Sequence, residues 1–196
     1  MSEKQKMITG QFYDSRDPEL VAGRALARRL TEALNALPMS EGQQRLAILN
    51  TLLGNHGKSF FIESRFQCDY GYNIFLGENF YANFDCLFLD DAPIRFGRNV
   101  MLAPGVHIYT ASHQLVAEER NSGLEFAEPV TIGDNVWIGG RVVINPGVTI
   151  GDGAVIGSGS VVTRSVPDNV FAAGNPCRVI RVITDADRIM GRPVDQ

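Results

Sequence analysis

Residues 130–165 read VTIGDN-VWIGGR-VVINPG-VTIGDG-AVIGSG-SVVTRS. These are six hexads, and the third position of each is an aliphatic residue. An amphipathic helix would need apolar residues about every 3.6 positions, and a half-buried strand every two. A period of six predicts a β-solenoid, a prism of short strands and turns whose aliphatic row faces the axis. We expect the small residues that follow this row to let the backbone bend tightly at each corner. The row consists of Ile132, Ile138, Ile144, Ile150, Ile156 and Val162.

The six-residue period extends towards the N-terminus, to about residue 74. Phe88 and Phe96 are eight residues apart, so two residues are inserted near 90–93. Ile108 and Ile132 are 24 residues apart, or four hexads, but the polar stretch 111–129 breaks the pattern. We interpret this stretch as a loop extruded from one corner, and long loops in compact repeats usually carry function.

The first sixty residues have helical periodicity instead. One amphipathic helix is predicted from about Leu20 to before Pro38, a second from about Glu41 to near Gly54, and a short one over 4–12. Such small helices bury little surface alone, so we expect them to pack on the solenoid or on another subunit. The predicted organisation is a helical domain at 5–60, a β-helix at 61–183 with the loop 111–129, and a tail at 184–196, with a strand and a short helix closing the chain.

Composition restricts the class of protein. The chain has 196 residues, of which 44% are hydrophobic and 20% charged, as in soluble globular proteins. A net charge of −4 argues against a general nucleic-acid binder. No apolar run approaches the roughly 18 residues of a membrane span, and the first residues lack a signal-peptide core. We therefore expect no membrane association and a cytoplasmic location.

The three cysteines have no metal-like or redox-like spacing. An odd number of cysteines without a secretory signal indicates free thiols in a reducing cytoplasm. Cys86 falls in the inward row, where it would act as a small apolar filler. The three are Cys68, Cys86 and Cys177.

Five further stretches resemble the maltose and galactoside O-acetyltransferases, a family of hexapeptide-repeat acyltransferases, and are closer to the maltose type. They are KMITGQFYDSRDPEL (6–20), FYANFDC (80–86), LAPGVHIYTASH (102–113), PVTIGDNVWIGGRVVINPGVTIGDGAVIGSGSVVT (129–163) and AAGNPCRVIR (172–181). The resemblance covers residues 6–183. It implies an all-β left-handed parallel β-helix with a small N-terminal α-helical domain and a short C-terminal strand and helix. Handedness comes from the resemblance alone, since ordinary β-crossovers are right-handed.

The resemblance also implies an activity, transfer of the acetyl group of acetyl-CoA to a hydroxyl of a sugar such as maltose or glucose, without a metal. It implies a homotrimer with sites shared between subunits. His113 aligns with the family's catalytic histidine, and a base with a pKa near 7 suits proton removal from a hydroxyl. Asn83 aligns with an asparagine beside the acetyl group, and the N–H of Gly140 with the donor to the thioester oxygen.

The acceptor-binding residues implied by the resemblance are mainly acidic. A carboxylate can accept two hydroxyl hydrogen bonds, which suits a polyol. Position 69 is serine in the galactoside enzymes, which puts a galactoside preference in doubt. Glu125 could bind the sugar, orient His113, or be a solvated loop charge. The residues implied by the resemblance are Asp14, Asp69, Asn83 and Asp91, and Glu125 is a further candidate because it lies in the extruded loop.

For acetyl-CoA the resemblance implies contacts at corners and near the C-terminus. Guanidinium groups suit phosphate oxygens, although an arginine pair can also be an ordinary polar surface. Trp137 would lie beside the cofactor arm or in a subunit contact. In addition to Gly140, the implied residues are Ser158, Thr163, Arg178 and Arg181, and Arg164 is a further candidate to assist them.

Three other functions could be considered for this sequence: nucleotide binding, zinc-dependent hydration and a non-catalytic scaffold. Residues 54–59 mimic the end of a phosphate-binding loop, but Leu52 stands where glycine is required, so the segment is expected to be a helix-ending turn. A γ-type carbonic anhydrase would need three histidines around zinc, whereas His107 and His113 are only six apart and His56 is expected in the helical region. A non-catalytic scaffold would need neither His113 nor the loop.

Overall fold

The computed structural model describes residues 1–190; residues 191–196, the end of the predicted tail, lie outside the described part. The N-terminal segment is helical, as predicted, with the short first helix ending earlier than expected, at Ile8. A buried Arg45 donates hydrogen bonds to the carbonyls of Leu34 and Ile62, which ties two helices to the first solenoid coil. The elements are α1 (Glu3–Ile8), β1 (Tyr13–Asp14), α2 (Pro18–Ala36) and α3 (Gly42–Leu52).

The rest of the chain is a parallel β-helix, which confirms the predicted solenoid. Before the extruded segment, its strands are β2 (Asn55–His56), β3 (Phe60–Ile62), β4 (Gln67–Cys68), β5 (Ile74–Leu76), β6 (Phe80–Ala82), β7 (Leu87–Leu89), β8 (Ile94–Phe96), β9 (Met101–Leu102) and β10 (His107–Tyr109). The extruded segment contains β11 (Ala111–Ser112), α4 (Ala117–Arg120) and β12 (Leu124–Ala127). After it follow β13 (Val130–Ile132), β14 (Trp137–Ile138), β15 (Val143–Ile144), β16 (Thr149–Ile150), β17 (Val155–Ile156), β18 (Val161–Val162), β19 (Val170–Ala173) and β20 (Arg178–Val182).

The strands form three faces of a prism. The first face has the order β2-β5-β8-β13-β16, the second β3-β6-β9-β14-β17-β19-β20, and the third β4-β7-β10-β15-β18. The whole aliphatic row is at most 1% exposed. Burial of one such side chain contributes roughly 1.5–3 kcal/mol, so this row holds the prism together. Leu34 and Leu49 of the helices belong to the same core, which is therefore continuous from the helical segment into the solenoid.

Two boundaries differ from the expectations. The solenoid begins at Asn55, because β2 pairs in parallel with β5, so His56 lies on the first face and not in the helical region. The chain closes with the antiparallel strands β19 and β20 and a single 3₁₀ turn (Asp185–Asp187), where one strand and a helix were predicted. The extruded segment is not simply a loop either, since β12 pairs with both β11 and β1.

All differences in length between the coils occur at the same corner of the prism. Cys68, Phe88 and Ile108 stack at intervals of 20 residues, while Ile144 and Val162 are 18 apart. The extra residues lie between the third face and the first face of the next coil, at 69–73, 90–93 and 110–129. We call this corner the His113 edge, and the corner between the second and third faces, at 83–86, 103–106 and 139–142, the Asn83 edge.

The glycines after the inward row are required by space. A Cβ at Gly133 would overlap the carboxylate of Asp152, and one at Gly151 would overlap that of Asp168. The left-handed backbone occurs two residues later, at Asn135 (φ 59°) and Gly153 (φ 66°). Small residues at these positions were predicted, but the predicted cause, a tight bend, is wrong, because the stacked coil excludes a side chain.

Candidate functional site

Three aspartates meet where the extra residues of the His113 edge gather. Asp90 is fully buried and accepts backbone N–H bonds from Asp69 (3.1 Å) and Tyr70 (2.8 Å). Burial raises the pKa of Asp90 well above its ordinary value, and the backbone N–H groups of Tyr70 and Gly71 partly offset the rise. Asp90 therefore fixes the turn that carries Asp69.

Asp91 and Asp69 form a coupled pair of carboxyl groups. Asp91 is only 4% exposed, and no group in residues 1–190 forms a hydrogen bond with its buried Oδ2. Burial and the neighbouring charge of Asp69 raise the pKa of Asp91 to about 7, and burial raises that of Asp69. Two carboxylates this close cannot both ionise easily, so the pair retains a proton near neutral pH. It can then both donate and accept a hydrogen bond.

A tyrosine hydroxyl links this pair to the extruded segment. Tyr13, which is fully buried, contacts Oδ1 of Asp91 (2.9 Å) and Oε2 of Glu125 (3.1 Å). Ser15 donates to the other oxygen of Glu125 (2.8 Å). A hydroxyl has a single proton, so Tyr13 cannot make two full hydrogen bonds to ionised groups. The N-terminal segment, the edge and the extruded hairpin therefore meet at one phenol oxygen.

The helical segment also contributes a positive charge. Arg24 of α2 donates to the hydroxyl of Tyr70 (2.5 Å) and to the carbonyl of Ser15 (2.6 Å). Its charge acts on both Asp69 and Asp91. Sequence reasoning missed Tyr13, Ser15 and Arg24, because their partners lie far away in the chain.

Asp14, predicted in the same set, faces elsewhere. Its carboxylate forms an ion pair with Arg16 (2.8 Å) and makes no hydrogen bond to the acidic pair. Successive residues of a strand point to opposite sides, so Tyr13 rather than Asp14 contacts Asp91.

His113 follows β11 directly and is exposed. Ser112 is paired with Phe126, so the next position along the hairpin brings residue 113 opposite Glu125. No hydrogen bond joins Glu125 to His113 within residues 1–190, because the Glu125 carboxylate is engaged by Tyr13 and Ser15. The base candidate and the acidic pair thus share one edge, with the hairpin between them.

The other catalytic candidates lie at the Asn83 edge. Oδ1 of Asn83 accepts from the N–H of Phe84 (2.8 Å), which leaves the amide NH₂ available to donate. The N–H of Gly140 donates to Oγ of Ser158 (3.1 Å), one coil further on. The third face separates this edge from His113, and a three-residue strand spans about 10 Å. Within one chain, the two edges do not form a single site.

The remaining cofactor candidates are exposed and lie in three places. Ser158 continues the Asn83 edge, whereas Thr163 and Arg164 lie at the His113 edge. Arg178 and Arg181 both lie on β20, and Arg181 forms an ion pair with Asp187 (2.6 Å). Phosphate binding would therefore compete with Asp187 for Arg181.

A column of large apolar side chains runs along the outside of the second face. Three of its members remain about half exposed: Phe61 (46%), Met101 (52%) and Trp137 (50%). A monomer seldom exposes a contiguous apolar surface of this kind without a partner. We call it the apolar column; in register it comprises Phe61, Tyr81, Met101, Trp137, Val155 and Phe171.

The three histidines do not converge. His56 lies on the first face and its ring contacts Asn50 of α3, whereas His107 lies on the third face and its ring contacts Tyr109. Within residues 1–190, no group of three or more His, Cys, Asp or Glu is arranged to hold a metal ion. No helix in the same range is long and apolar enough to cross a membrane.

Comparison with known proteins identifies two family matches. The maltose acetyltransferase hexapeptide capping motif matches residues 6–57, and the bacterial transferase hexapeptide (six repeats) matches residues 129–164. These are the helical segment and the strict hexads.

Similarity to known proteins extends over nearly the whole chain. A maltose O-acetyltransferase structure from Clostridium difficile 630 is 54% identical, with a TM-score of 0.93, covering 94% of this chain and 99% of that one. The galactoside O-acetyltransferase of Escherichia coli K12 is 40% identical over 96% of this chain and 93% of its own. A hexapeptide-repeat-containing acetyltransferase from Vibrio cholerae O1 biovar eltor, complexed with acetyl-CoA, is 37% identical, with a TM-score of 0.87, over 94% and 100%.

Proposed function

The chain belongs to the hexapeptide-repeat family of maltose and galactoside O-acetyltransferases, and from that premise we propose that its acceptor is a neutral sugar, maltose or glucose. It is an acetyl-CoA-dependent O-acetyltransferase. The observation that carries the choice of acceptor is the Asp69–Asp91 pair, because it offers both a donor and acceptors to a polyol. Buried carboxyl groups would repel an anionic sugar. We propose a primary hydroxyl as the position modified, since it is the least crowded.

His113 is the proposed general base. Acetyl-CoA supplies an activated acetyl thioester. His113 would take the proton of the sugar hydroxyl as its oxygen attacks the thioester carbonyl, and would return that proton to the departing thiol. The free amide of Asn83 and the N–H of Gly140 are suited to stabilise the oxygen that gains negative charge. Gly140 would have to exchange its bond to Ser158 for one to the thioester oxygen.

The site is proposed to be shared between subunits of a homotrimer. Two features support this: His113 and Asn83 lie at different edges, and the apolar column beside the Asn83 edge lacks a covering element in residues 1–190. A second copy whose His113 edge faces this column would cover it and complete the site. Closed rings of such head-to-tail contacts are common in homo-oligomers.

For the donor, the exposed guanidinium groups of Arg178, Arg181 and Arg164 are proposed to bind the phosphates of acetyl-CoA. Ser158 and Thr163 are proposed to contact the rest of the cofactor. A cytoplasmic location is proposed because all three cysteines are free and buried.

A mixing experiment tests the base and the shared site together. His113→Ala and Asn83→Ala should each lose about a hundredfold in turnover with unchanged folding. After unfolding and refolding together in equal amounts, roughly a quarter of the sites would combine an intact His113 with an intact Asn83, and activity should return to that level. His56→Ala is the matched control and should remain active.

Near-normal turnover of His113→Ala would show that the base lies elsewhere. Two inactive variants whose mixture stays inactive, although it assembles, would show that the site lies within one chain.

A further inference from the structure

A groove with no role in the chemistry above lies between α2 and the third face. Its volume is about 430 Å³, within the range of small-molecule pockets. Its floor is formed by Leu87 and Leu89, two half-buried residues of β7. Arg28 and Glu32 of α2 form one wall, and Gln67 of β4 lies beside Leu87, with which it pairs in register. Asp69 of the acidic pair also lines the groove.

The polar side chains of this groove are available to a ligand. Arg28 and Glu32 are four residues apart on one side of α2, yet no ion pair joins them in the described part of the chain. The side chains of Arg28, Glu32 and Gln67 make no hydrogen bond to any residue in 1–190. Asn35, also on this wall, differs because its amide is bound to the backbone of Phe66 (2.8 and 3.1 Å).

The chemistry of the groove matches one ring of a carbohydrate. A sugar ring presents C–H groups on its faces and hydroxyls around its rim. Leu87 and Leu89 provide an aliphatic surface for the former. Arg28 supplies donors, Glu32 acceptors and Gln67 both, which is the mixture that hydroxyls require.

We propose that this groove is a subsite for the second ring of a disaccharide acceptor whose first ring is held at Asp69 and Asp91. The inference rests on the proposed function and specifies its acceptor class. Continuity supports it, because Asp69 belongs both to the acidic pair and to the groove. A disaccharide such as maltose would bridge the two regions, whereas glucose would leave the groove unused.

The test compares maltose with glucose in the complete enzyme. Wild-type kcat/KM should be higher for maltose. Arg28→Ala should lower kcat/KM for maltose about tenfold, mainly through KM, because it removes hydrogen bonds from a charged group to the second ring. It should lower kcat/KM for glucose by a clearly smaller factor, since the charge of Arg28 also acts on Asp69. Arg29→Ala, which removes the neighbouring exposed guanidinium outside the groove, is the matched control and should change neither.

Two outcomes would overturn the subsite. Equal losses on both sugars would mean that Arg28 acts on the first ring or on folding, and no loss on maltose would mean that the groove is not used. Glu32→Gln provides a second variant that keeps the shape of the wall, and it should repeat the maltose-selective loss. If the wild type acetylated neither sugar but did acetylate an unrelated acceptor, the proposed function itself would fail.

Discussion

Replacement of Tyr13 by phenylalanine would test the link between the N-terminal segment and the Asp69–Asp91 pair. The variant keeps the ring, which packs against Met7 and Ala127, and removes only the hydroxyl. That hydroxyl contacts Oδ1 of the Asp91 carboxyl at 2.9 Å, and Oδ2 of Asp91 has no hydrogen-bond partner within residues 1–190. Glu125 would keep its bond from Ser15. The main loss therefore falls on Asp91.

The size of the effect should depend on pH. Burial raises the pKa of Asp91 to about 7, above about 4 in an unfolded chain. At a pH between these two pKa values, Asp91 is protonated in the folded state and ionised in the unfolded state. The free energy of unfolding therefore falls as the pH rises through this range. The Tyr13 hydroxyl lowers the pKa of Asp91. Removal of this hydroxyl raises that pKa, so the loss of stability with rising pH continues to a higher pH.

We therefore expect Tyr13→Phe to cost about 1.5–3 kcal/mol at about pH 8, where Asp91 is ionised, and about 0.5–1.5 kcal/mol at about pH 5.5. Urea unfolding at both pH values would measure the difference, at one protein concentration because assembly contributes to stability. Tyr72→Phe is the matched control, since the Tyr72 hydroxyl makes no hydrogen bond to a described residue. A loss that is the same at both pH values, or no larger than that of Tyr72→Phe, would refute the reasoning.

Two further predictions concern the cofactor and the core. Replacement of both Arg178 and Arg181 by alanine should raise KM for acetyl-CoA more than KM for the sugar. Added salt should have the same effect on the wild type, because it screens phosphate contacts. A change confined to KM for the sugar would contradict the prediction. Ile144→Ala should lower the free energy of unfolding by about 2–5 kcal/mol, because a buried coil leaves little room to collapse around the cavity; denaturant unfolding would measure this, and a cost below about 1 kcal/mol would show that the row is not the core.

The strict hexads could be interpreted from sequence because each carries the same local pattern. The first coil could not be predicted in this way, because β2 to β4 lack the Ile-Gly dipeptide of the hexads. They are recognised as strands only by their parallel pairing with the next coil. The hairpin β11–β12 was missed for a related reason, because its partner β1 lies about 110 residues earlier.

The acidic part of the site was only partly predictable. Asp69 and Asp91 are implied by the resemblance and Glu125 by its place in the extruded loop, and the structure brings all three to the Tyr13 network. Tyr13 itself carries no pattern of its own in the sequence beyond its place next to Asp14. Strand alternation decides which of the two enters the site, and that strand exists only through pairing with β12.

The confinement of all extra residues to the His113 edge has an evolutionary consequence. The three faces tolerate little change, because each side chain stacks on its counterpart one coil away. Insertions at this single corner leave that stacking intact, as the coils of 18 and 20 residues in the same prism show. A lineage could therefore change the residues gathered at this corner by lengthening or shortening it, while it inherits the three faces and their core unchanged.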